Sequence, residues 1–373
     1  NNTISGNTIK DNCAGLTISG SRYNTVVNNI VRDDRRGVGD GMQIDGTEHT
    51  VSNNVVFNNT GCGISLHGSG MFVTKNNASN NENGIELYDC SSSMLVCNTA
   101  INNAHGFYLW QSNDNALIGN ILIENYWDGI QFSYSSREKL VGNTFVNNSI
   151  GLVFGESYHN MIYHNNFVNP WQIYRYASTG NVWDDGYPSG GNYWSDYAGI
   201  DLHWGSDQNE TGSDGIGDTQ YIVDENNVDR YPLMDPFNSF NASVGYSVDV
   251  IANSTIEDFR YFESNSTIIM HVSNMTTNQA FGFCRLTIPH DVMYPPYTVK
   301  VNDTIINFQT IYENYTEGIS IIYFTYEHSK LEITIIPEYP SMTIMLLLSA
   351  TLLTTALTKR KLQRRKCIKE PQT

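Results

Sequence analysis

Basic residues are scarce in this 373-residue sequence, which contains 21 Lys and Arg against 38 Asp and Glu and has a formal net charge of −17. Proteins that bind nucleic acid neutralise phosphates with clustered basic side chains, so this charge balance excludes DNA and RNA as partners. Charged residues of both signs make up only 16% of the chain, whereas 12% of it is aromatic. A chain this rich in aromatic residues buries enough apolar surface to fold, so it is not intrinsically disordered.

Cysteine is also scarce, with six residues in the chain. This number does not give the dense disulfide framework that stabilises small secreted domains. Cys90 and Cys97 are the pair whose separation suits a bridge across one turn of chain, and free buried thiols are the alternative. The sequence also lacks His-x-His and Met-x-Met clusters, so the residues alone do not indicate a soft-metal site such as copper.

Charge is absent altogether from residues 341–358, an apolar run of 18 residues near the C-terminus. A run of this length spans a bilayer as a helix, and a buried core helix is the alternative. The basic residues 359–373 that follow predict a cytoplasmic tail, so the sequence predicts a single-pass cell-membrane protein whose bulk is extracellular. Because the chain begins without Met inside a repeat, we expect further N-terminal coils and a signal peptide to precede it.

Asparagine, by contrast, is abundant: the chain contains 44, and 30 of them precede residue 171. They follow a repeat of about 22 residues in which two Asn, or an Asn and an Asp, lie five positions apart. The pairs are Asn7/Asn12, Asn29/Asp34, Asn54/Asn59, Asn76/Asn81, Asn98/Asn103, Asn120/Asn125 and Asn143/Asn148. Most pairs are followed by a Gly and then by alternating apolar residues, as in GISL from Gly63 and GFYL from Gly106.

The alternation in each repeat predicts short strands with one buried face, and the repeats show no helical period. A unit of this kind cannot close its own core and must stack on its neighbours. Twenty-two residues at about 3.3 Å each match the perimeter of one turn of a parallel β-helix. The sequence therefore predicts a parallel β-helix over residues 1–170, with an Asn ladder at one corner and left-handed backbone supplied by Asn and Gly.

Three segments after the last repeat carry a resemblance to a known family: GGNYWSDY from Gly190, GIGD from Gly215 and DRYPLMDP from Asp229. Together with the repeats, they resemble the NosD-type right-handed parallel β-helix proteins, a carbohydrate-binding and sugar-hydrolase repeat group with a pectin-lyase-like solenoid. The resemblance implies that residues 171–237 close the β-helix. It also implies copper as a cofactor, because NosD is a periplasmic factor for copper-site maturation in nitrous oxide reductase. Many relatives are anchored surface proteins of archaea, and the C-terminal tail of this chain is similar to theirs.

Residues 238–337 differ in character, because the Asn spacing ends and short β-branched and aromatic runs recur at regular intervals. This pattern predicts a β-sandwich, which makes the chain all-β apart from one C-terminal transmembrane helix. Six of the eleven Asn-x-Ser/Thr sequons lie in this region, and their density supports an external glycoprotein.

The polar and aromatic residues after each repeat Gly are candidates for a binding site. If the apolar residues point inward, the residues between them form two exposed columns along the β-helix. Aromatic rings flanked by amides and carboxylates hold sugar rings, so the columns predict a carbohydrate-binding groove; an ordinary exposed sheet face is the alternative. The candidate binding residues are Gln43, His67, Glu86, Tyr88, Tyr108, Trp110 and Gln131.

Three carboxylates are the candidate catalytic residues: Asp40 in a short insertion, and Asp45 and Glu86 in the exposed columns. A glycosidase needs two carboxyl groups about 5 to 9.5 Å apart, whereas Asp45 and Glu86 lie two coils apart on the predicted face. A polysaccharide lyase needs a basic residue that abstracts a proton. Solvated charged side chains are the alternative, so the sequence leaves an enzyme and a non-catalytic module both open.

Oxygen-bearing side chains alternate around a Gly in the segment DQNETGSDGIGD, which begins at Asp207. This spacing is typical of an EF-hand-like calcium loop, and a surface turn rich in Gly and Asp is the alternative. The candidate ligands of the calcium ion are Asp207, Asn209, Thr211, Asp214 and Asp218. As a whole, the sequence predicts a cell-surface binding or envelope-architecture module for an extracellular polysaccharide. A polysaccharide lyase or glycoside hydrolase and a copper-site maturation factor are the alternatives.

Overall fold

The computed structural model describes residues 1–33, 39–327 and 330–338. The chain first winds into a right-handed parallel β-helix of about eight turns, in which each turn contributes one strand to each of three parallel sheets. Each strand pairs with the strand one turn later, about 22 residues further along the chain. The parallel β-helix predicted from the Asn repeat is therefore confirmed.

The strands of the β-helix are short, and most contain three to six residues. Sheet 1 contains Thr3–Ser5, Thr25–Val27, Thr50–Ser52, Phe72–Thr74, Met94–Val96, Ala116–Ile118, Lys139–Val141 and Met161–Tyr163. Sheet 2 contains Thr8–Lys10, Ile30–Arg32, Val55–Phe57, Asn77–Ser79, Thr99–Ile101, Ile121–Ile123, Thr144–Val146, Asn166–Val168 and Tyr193–Trp194. Sheet 3 contains Leu16–Arg22, Met42–Thr47, Ile64–Ser69, Asn83–Ser91, His105–Trp110, Asp128–Ser133, Ile150–Gly155 and Trp171–Tyr176.

The core of the β-helix consists of apolar columns that run along its axis. The central residue of each three-residue strand points inward, and most of the longer strands of sheet 3 contribute two inward apolar residues. One column of sheet 3 contains the fully buried Ile44, Leu66, Leu87, Leu109 and Phe132. Complete burial of each such side chain contributes about 1.5–3 kcal/mol, so the stacked columns supply much of the stability that one turn alone lacks.

Ladders in which Asn recurs on successive turns occupy two corners of the β-helix, whereas the sequence predicted a ladder at one corner. Between sheets 1 and 2, the backbone N–H and Nδ2 of Asn98 donate to Oδ1 of Asn120 at 2.9 and 3.1 Å. Between sheets 2 and 3, Asn103 donates in the same way to Asn125 at 3.0 and 3.1 Å. The two Asn of a repeat pair thus flank one strand of sheet 2, which explains their constant separation of five residues.

The left-handed backbone at these corners lies one residue before most of the ladder Asn residues. Asn102 and Gly119 occupy this position with positive φ, in agreement with the prediction that Asn and Gly supply it. Lys75 and Cys97 occupy the equivalent position on other turns with φ of 56° and 54°. The corner therefore imposes the conformation even on residues that rarely adopt it, because the ladder and the adjacent sheets fix the chain on both sides.

The Gly at the beginning of the sheet 3 strands lies where no side chain fits. A Cβ atom on Gly84 would lie 2.5 Å from the carbonyl oxygen of Gly106, and one on Gly106 would lie 2.3 Å from the carbonyl oxygen of Gly129. Both distances are well below van der Waals contact. The repeat therefore requires Gly at this position because the backbone of the next turn approaches it closely.

A third ladder, at the corner between sheets 3 and 1, contains a buried acid among amides. Glu138 accepts hydrogen bonds from the backbone N–H and Nδ2 of Asn115, both at 3.2 Å, and its own N–H donates to Asn160 Oδ1 at 2.8 Å. Its side chain is completely buried, and burial raises the pKa of this carboxyl group well above its ordinary value. The folded state therefore holds the proton of Glu138 more tightly than the unfolded state does.

Replacement of Glu138 by Gln is expected to stabilise the protein at neutral pH by roughly 1–2 kcal/mol, because a neutral amide does not require the burial of a charge. The stability contributed by protonated Glu138 is fully present below the ordinary carboxyl pKa and decreases as the pH rises towards the raised folded-state pKa. The melting temperature of Glu138→Gln should therefore exceed that of the wild type at neutral pH and approach it in acid. Glu124→Gln, at an exposed position, is the control. An equal difference in melting temperature at all pH values would contradict this explanation.

The segment after the eighth turn closes the open end of the core with two buried Trp residues, Trp183 and Trp194. Trp194 stacks on Phe167 of the preceding turn, with ring centroids 4.6 Å apart. Its Nε1 donates to Asp229 at 2.9 Å, and the backbone N–H of Asn192 donates to the same carboxylate at 2.7 Å. Asp229 is completely buried, and burial raises its pKa to about 7. The ladder and the apolar core therefore both end on this segment.

Residues beyond the closing segment form two five-stranded antiparallel sheets that share one hydrophobic core. One sheet contains Phe237–Ser243, Tyr246–Ala252, Phe281–Pro289, Gln309–Asn314 and Ile319–Glu327. The other contains Ser254–Phe262, Thr267–Asn274, Tyr297–Val301, Thr304–Ile306 and Leu331–Pro337. Two small hairpins precede these sheets and consist of His203–Trp204 with Glu210–Thr211 and of Tyr221–Asp224 with Asn227–Asp229.

Polar contacts fix the antiparallel sheets to the end of the β-helix. The buried guanidinium of Arg285 donates to the carbonyl oxygens of Asp214, at 2.6 Å, and Pro188. The side chain of Asn166, on the last full turn, pairs with the backbone N–H and carbonyl of Phe237, both at 2.8 Å. The antiparallel part is therefore docked through buried hydrogen bonds as well as apolar packing.

The five cysteines within the described residues are free, so Cys90 and Cys97 do not form the bridge that was one of the two alternatives. Among the described residues, no helix has the length and apolar character needed to cross a membrane. The predicted transmembrane segment 341–358 and the basic tail 359–373 lie outside the described residues.

Candidate functional site

The exposed face of sheet 3 contains the predicted columns in register. The first column contains Gln43, Ser65, Glu86, Tyr108 and Gln131. The second contains Asp45, His67, Tyr88, Trp110 and Ser133. Neighbouring strands of a sheet are about 4.8 Å apart, so the side chains of a column contact those of the adjacent turns. All seven predicted carbohydrate-binding residues therefore lie on one face.

Aromatic rings cover the middle of this face. His67 and Tyr88 stack with centroids 5.0 Å apart. Tyr108 and Trp110 lie side by side with centroids 6.4 Å apart, and Trp110 meets Tyr134 of the next turn edge to face at 5.3 Å. We call Tyr88, Tyr108, Trp110 and Tyr134 the central aromatic cluster.

A cleft of about 460 Å³ opens beside the central aromatic cluster, and we call it the carboxylate cleft. Its walls come from four successive turns of the β-helix and from the loop that enters sheet 3. The residues that line it are Asp40, Gly61, Cys62, Glu82, Asn83, Glu86, His105, Tyr108 and Gln131. Four of these residues were predicted from the sequence: Asp40, Glu86, Tyr108 and Gln131.

Two carboxylates of the cleft are joined through one cysteine. The backbone N–H of Cys62 donates to Asp40 Oδ1 at 2.8 Å, and its Sγ donates to Glu86 Oε2 at 3.2 Å. Ser65 Oγ donates to the same oxygen of Glu86 at 3.1 Å, and Asn83 Nδ2 donates to the other at 3.2 Å. Glu86 is thus held by three side chains, which fix the direction of its carboxylate towards the cleft.

The protonation of this group follows from burial and from the proximity of like charges. Burial raises the pKa of Asp40, and the negative charges of Glu86 and Glu82 raise it further. Burial and the charges of Glu86 and Asp40 also raise the pKa of the Cys62 thiol. Cys62 is therefore a protonated hydrogen-bond donor in the cleft, and thiolate chemistry is disfavoured there.

His105 lines the cleft and is paired with the buried Asp128 behind it in the sheet. Nδ1 of His105 lies 2.9 and 2.8 Å from the two carboxylate oxygens of Asp128, on the adjacent strand. Asp128 is almost fully buried, and burial raises its pKa, although the bond from His105 opposes this rise. Trp127 packs edge to face on the His105 ring with centroids 4.8 Å apart. The ring of His105 is therefore held from two sides, with Nε2 left as its second polar atom.

Asp45 and His67 lie on the predicted face but outside the carboxylate cleft. Asp45 pairs in register with His67 and lies three turns before Trp110 in the same column. Gln43 Nε2 donates to Oδ2 of Asp45 at 3.4 Å, whereas Oδ1 of Asp45 is buried and has no hydrogen-bond partner within the described part of the chain. The structure thus places Asp40, and not Asp45, in contact with the residue that holds Glu86.

The five candidate calcium ligands differ in exposure and in hydrogen-bond partners. Asp207, Asn209 and Thr211 are exposed. Asp214 is buried beside Arg285, and its Oδ1 accepts a hydrogen bond from the N–H of Ile216 at 3.0 Å. The carboxylate of Asp218 accepts hydrogen bonds from the backbone N–H groups of Leu202 and His203 and from Nδ1 of His203 at 2.8 Å. Calcium at this loop remains a prediction.

Sequence reasoning missed Cys62, Asn83 and His105 as members of the cleft. Asn83 and His105 directly precede the repeat Gly on successive turns, and Asp128 continues this column. A third outward column at the position before Gly is thus visible in the sequence, although only the residues after Gly were considered. Cys62 also directly precedes a Gly, so the same rule would have selected it.

Comparisons with known proteins give one family and a set of structures with a similar fold. Residues 1–199, just over half of the chain, match the family described as periplasmic copper-binding protein (NosD). No curated protein matches the sequence. Among the described residues, no group of three or more His, Cys, Asp and Glu side chains is arranged to hold a metal ion.

Solved structures with a similar fold include a periplasmic alginate epimerase, AlgG, with 18% identity and a TM-score of 0.43 over 48% of this chain and 49% of that protein. The A-module of a mannuronan C-5 epimerase from Azotobacter vinelandii has 15% identity and a TM-score of 0.41, over 48% of this chain and 57% of that one. DFA-IIIase from Arthrobacter chlorophenolicus A6 has 15% identity and a TM-score of 0.41, over 49% of this chain and 54% of that one. The match spans about half the length of these proteins.

Proposed function

Since the chain belongs to the NosD family of parallel β-helix proteins, we propose that it is an extracytoplasmic binding module that holds a carbohydrate on the exposed face of sheet 3. The ligand lies on the central aromatic cluster and reaches into the carboxylate cleft. The observation that supports this proposal is the position of four aromatic rings directly beside a polar cleft on a face formed by rigid strands.

The chemistry of the face suits a sugar ring. Each sugar has an apolar face that packs on an aromatic ring and hydroxyl groups that hydrogen-bond to amides and carboxylates. Tyr108 and Trp110 supply the rings, and Glu86 and Gln131 supply acceptors on the two strands that flank Tyr108 in its column. The face is also preorganised, because β-helix strands on both sides fix each backbone segment, which reduces the conformational entropy lost on binding.

The location outside the cytoplasm is part of the same proposal. It is supported by the periplasmic description of the family and by the basic tail, which predicts an external side for the residues before the apolar run 341–358. Anchoring by residues 341–358 places the face at the cell surface, where extracellular polysaccharide is the available partner.

Trp110→Ala is expected to weaken binding of the polysaccharide about tenfold, because one aromatic stacking contact contributes about 0.5–1.5 kcal/mol beyond its area. Binding is measured by calorimetry with the polysaccharide that an array of plant, algal and bacterial glycans identifies. Tyr294→Ala, an exposed aromatic residue of the antiparallel sheets, is the control and should bind like the wild type. Unchanged affinity in both Trp110→Ala and Tyr108→Ala would contradict the proposal.

A polysaccharide lyase or glycoside hydrolase is the second candidate, favoured by the contact of Asp40 and Glu86 with one cysteine. Two close carboxyl groups, one with a raised pKa, are the arrangement in which one protonates the leaving oxygen and the other activates water or attacks. Asp40→Asn and Glu86→Gln would then abolish product release but retain binding, whereas Asp45→Asn would retain both. If no polysaccharide that binds yields products, the enzyme hypothesis fails and the binding function remains.

Copper has no step in this proposal. Cys62 and His105 are the soft and borderline donors that line the cleft, but the raised pKa of Cys62 disfavours the thiolate that would bind the metal. The copper-maturation role implied by the family name therefore has no support from the described residues of the cleft.

A further inference from the structure

The last strand of sheet 3, Trp171–Tyr176, carries three aromatic side chains that the central cluster does not include. Trp171, Tyr174 and Tyr176 expose 66%, 52% and 64% of their surface, and Trp171 is the most exposed of the six Trp in the chain. Within the described residues, none of the three packs against another aromatic ring. We call these residues the distal aromatic platform.

The distal aromatic platform lies in register with the central cluster and the cleft. Tyr174 pairs with Val153 in the column of Tyr108 and Gln131. Tyr176 pairs with Gly155 in the column of Trp110. Trp171 continues the column of His105 and Asp128 through Ile150. All three columns of the proposed binding face therefore end in an exposed aromatic ring.

No aromatic side chain separates the two sets of rings in the first and second columns. Gln131 and Ser133 occupy one intervening turn, and Val153 and Gly155 occupy the next. Three turns separate Tyr108 from Tyr174, which corresponds to roughly 14 Å along the axis. This distance exceeds a single sugar ring, so a ligand that contacts both sets of rings is a chain that lies along the axis.

Hollows on both sides of Trp171 complete the platform. One hollow, of about 490 Å³, is lined by Ser149, Ile150, Pro170, Trp171 and Tyr174 and contains no charged side chain. The other, of about 240 Å³, includes Asp196 and Tyr221, whose hydroxyl donates to Asp196 at 3.2 Å. A ring face with an uncharged hollow on one side and a few polar groups on the other suits a neutral sugar.

The strand beneath the platform is firmly held. The buried Gln172 donates to the carbonyl of Asn169 and to Ser195 Oγ, both at 3.0 Å, and accepts a hydrogen bond from the N–H of Asn169 at 3.1 Å. Arg175 forms an ion pair with Asp224 of the closing segment. The exposed rings are therefore presented by an ordered backbone and do not need to be ordered by the ligand.

From these observations we infer that the distal aromatic platform is a second subsite for the same ligand, which is a linear neutral polysaccharide that lies along the β-helix axis. The inference rests on the proposed function of the central cluster. Continuity of the three columns with the cleft favours one extended ligand, because a chain that occupies both subsites binds the second one without a further loss of translational freedom. The structure thus assigns a minimum ligand length as well as a ligand class.

The test uses oligosaccharide ladders from disaccharide to octasaccharide, prepared from cellulose, xylan and chitin and, as the acidic comparison, from alginate. One of the neutral oligosaccharide series is expected to bind the wild type. Affinity within that series should increase with chain length and rise by about tenfold once an oligosaccharide reaches both subsites. Trp171→Ala should lose this increase but bind short oligosaccharides like the wild type. Trp110→Ala should weaken binding at every length, and Tyr294→Ala should behave like the wild type.

Three results would overturn the inference. If Trp171→Ala keeps the full increase of affinity with length while Trp110→Ala binds weakly, the platform is not a subsite, although the proposed function stands. If the wild type dimerises in light scattering and Trp171→Ala is monomeric, the platform is an interface between two copies. If the alginate ladder alone binds, the ligand class is wrong, and if no ladder binds, both the inference and the proposed function fail.

Discussion

Replacement of Gly106 by Ala is expected to destabilise the protein by about 3 kcal/mol or more, which is among the largest effects that one methyl group can have. The new Cβ would lie 2.3 Å from the carbonyl oxygen of Gly129 and 2.9 Å from Nδ2 of Asn125. Neither atom can easily move away, because Gly129 belongs to the paired strand of the next turn and Asn125 belongs to the ladder. The clash therefore separates two turns of the β-helix.

Urea denaturation of the whole protein gives the free energy of unfolding for this comparison. Gly155→Ala is the matched control in the same sheet, because a Cβ there would have its nearest neighbour at 3.6 Å. We expect the control to remain within about 0.5 kcal/mol of the wild type. A Gly106→Ala protein as stable as the control would show that adjacent turns do not approach as closely as described.

Asn98→Ala is expected to cost about 3 kcal/mol through the loss of ladder bonds. Its Nδ2 donates to the carbonyl oxygen of Val73 at 2.9 Å, and its Oδ1 accepts from the backbone N–H of Asn76 at 3.0 Å. Both backbone groups belong to other segments and would be left buried without a partner, at about 1–3 kcal/mol each. The cavity left by the side chain adds a further penalty.

The control for Asn98→Ala is Asn77→Ala, since Asn77 lies on an exposed strand position of sheet 2. Thermal and urea unfolding should show the control close to the wild type and Asn98→Ala clearly less stable. Equal stability of the two variants would mean that water replaces the ladder bonds without cost. In that case the Asn repeat would reflect turn preference and not buried hydrogen bonding.

The β-helix could be predicted from the sequence because each turn contacts only its neighbouring turns, and equivalent contacts on successive turns require the same residues at a regular spacing. The spacing of Asn and Gly therefore carried the register of all three sheets, and the columns through Glu86 and Tyr88 follow from it. The spacing could not show that the two Asn of a pair belong to two corners. That assignment depends on the short strand of sheet 2 that separates the two Asn, such as Thr99–Ile101. A strand of three residues is too short to show a clear alternation of apolar and polar residues in the sequence.

The carboxylate cleft was predicted only in part because it depends on contacts between turns. Glu86 and Tyr108 were recognised from their column, but the link from Asp40 through Cys62 depends on the path of the loop before sheet 3. The pairing of Asp45 with Glu86 was considered from coil spacing alone. The structure instead shows Asp40 in contact with the residue that binds Glu86.

The closing segment shows a similar limit. The motif around Asn192 and Trp194 was recognised as a resemblance, but its physical role was not apparent from the residues. In the structure, Asn192 terminates the ladder through Asn165, at 3.0 Å, and Asp229 accepts the hydrogen bonds of the segment from far along the chain. Contacts across 37 residues between irregular segments have no periodic signature in a sequence.

The most direct test of carbohydrate binding on the exposed face of sheet 3 is oxidative footprinting of the whole protein with and without a bound neutral octasaccharide. Hydroxyl-radical labelling should decrease at Trp110 and Tyr108, in the central cluster, and remain unchanged at the exposed Tyr294 of the antiparallel sheets. Unchanged labelling of Trp110 and Tyr108 by a bound oligosaccharide, with protection elsewhere on the protein, would contradict the account.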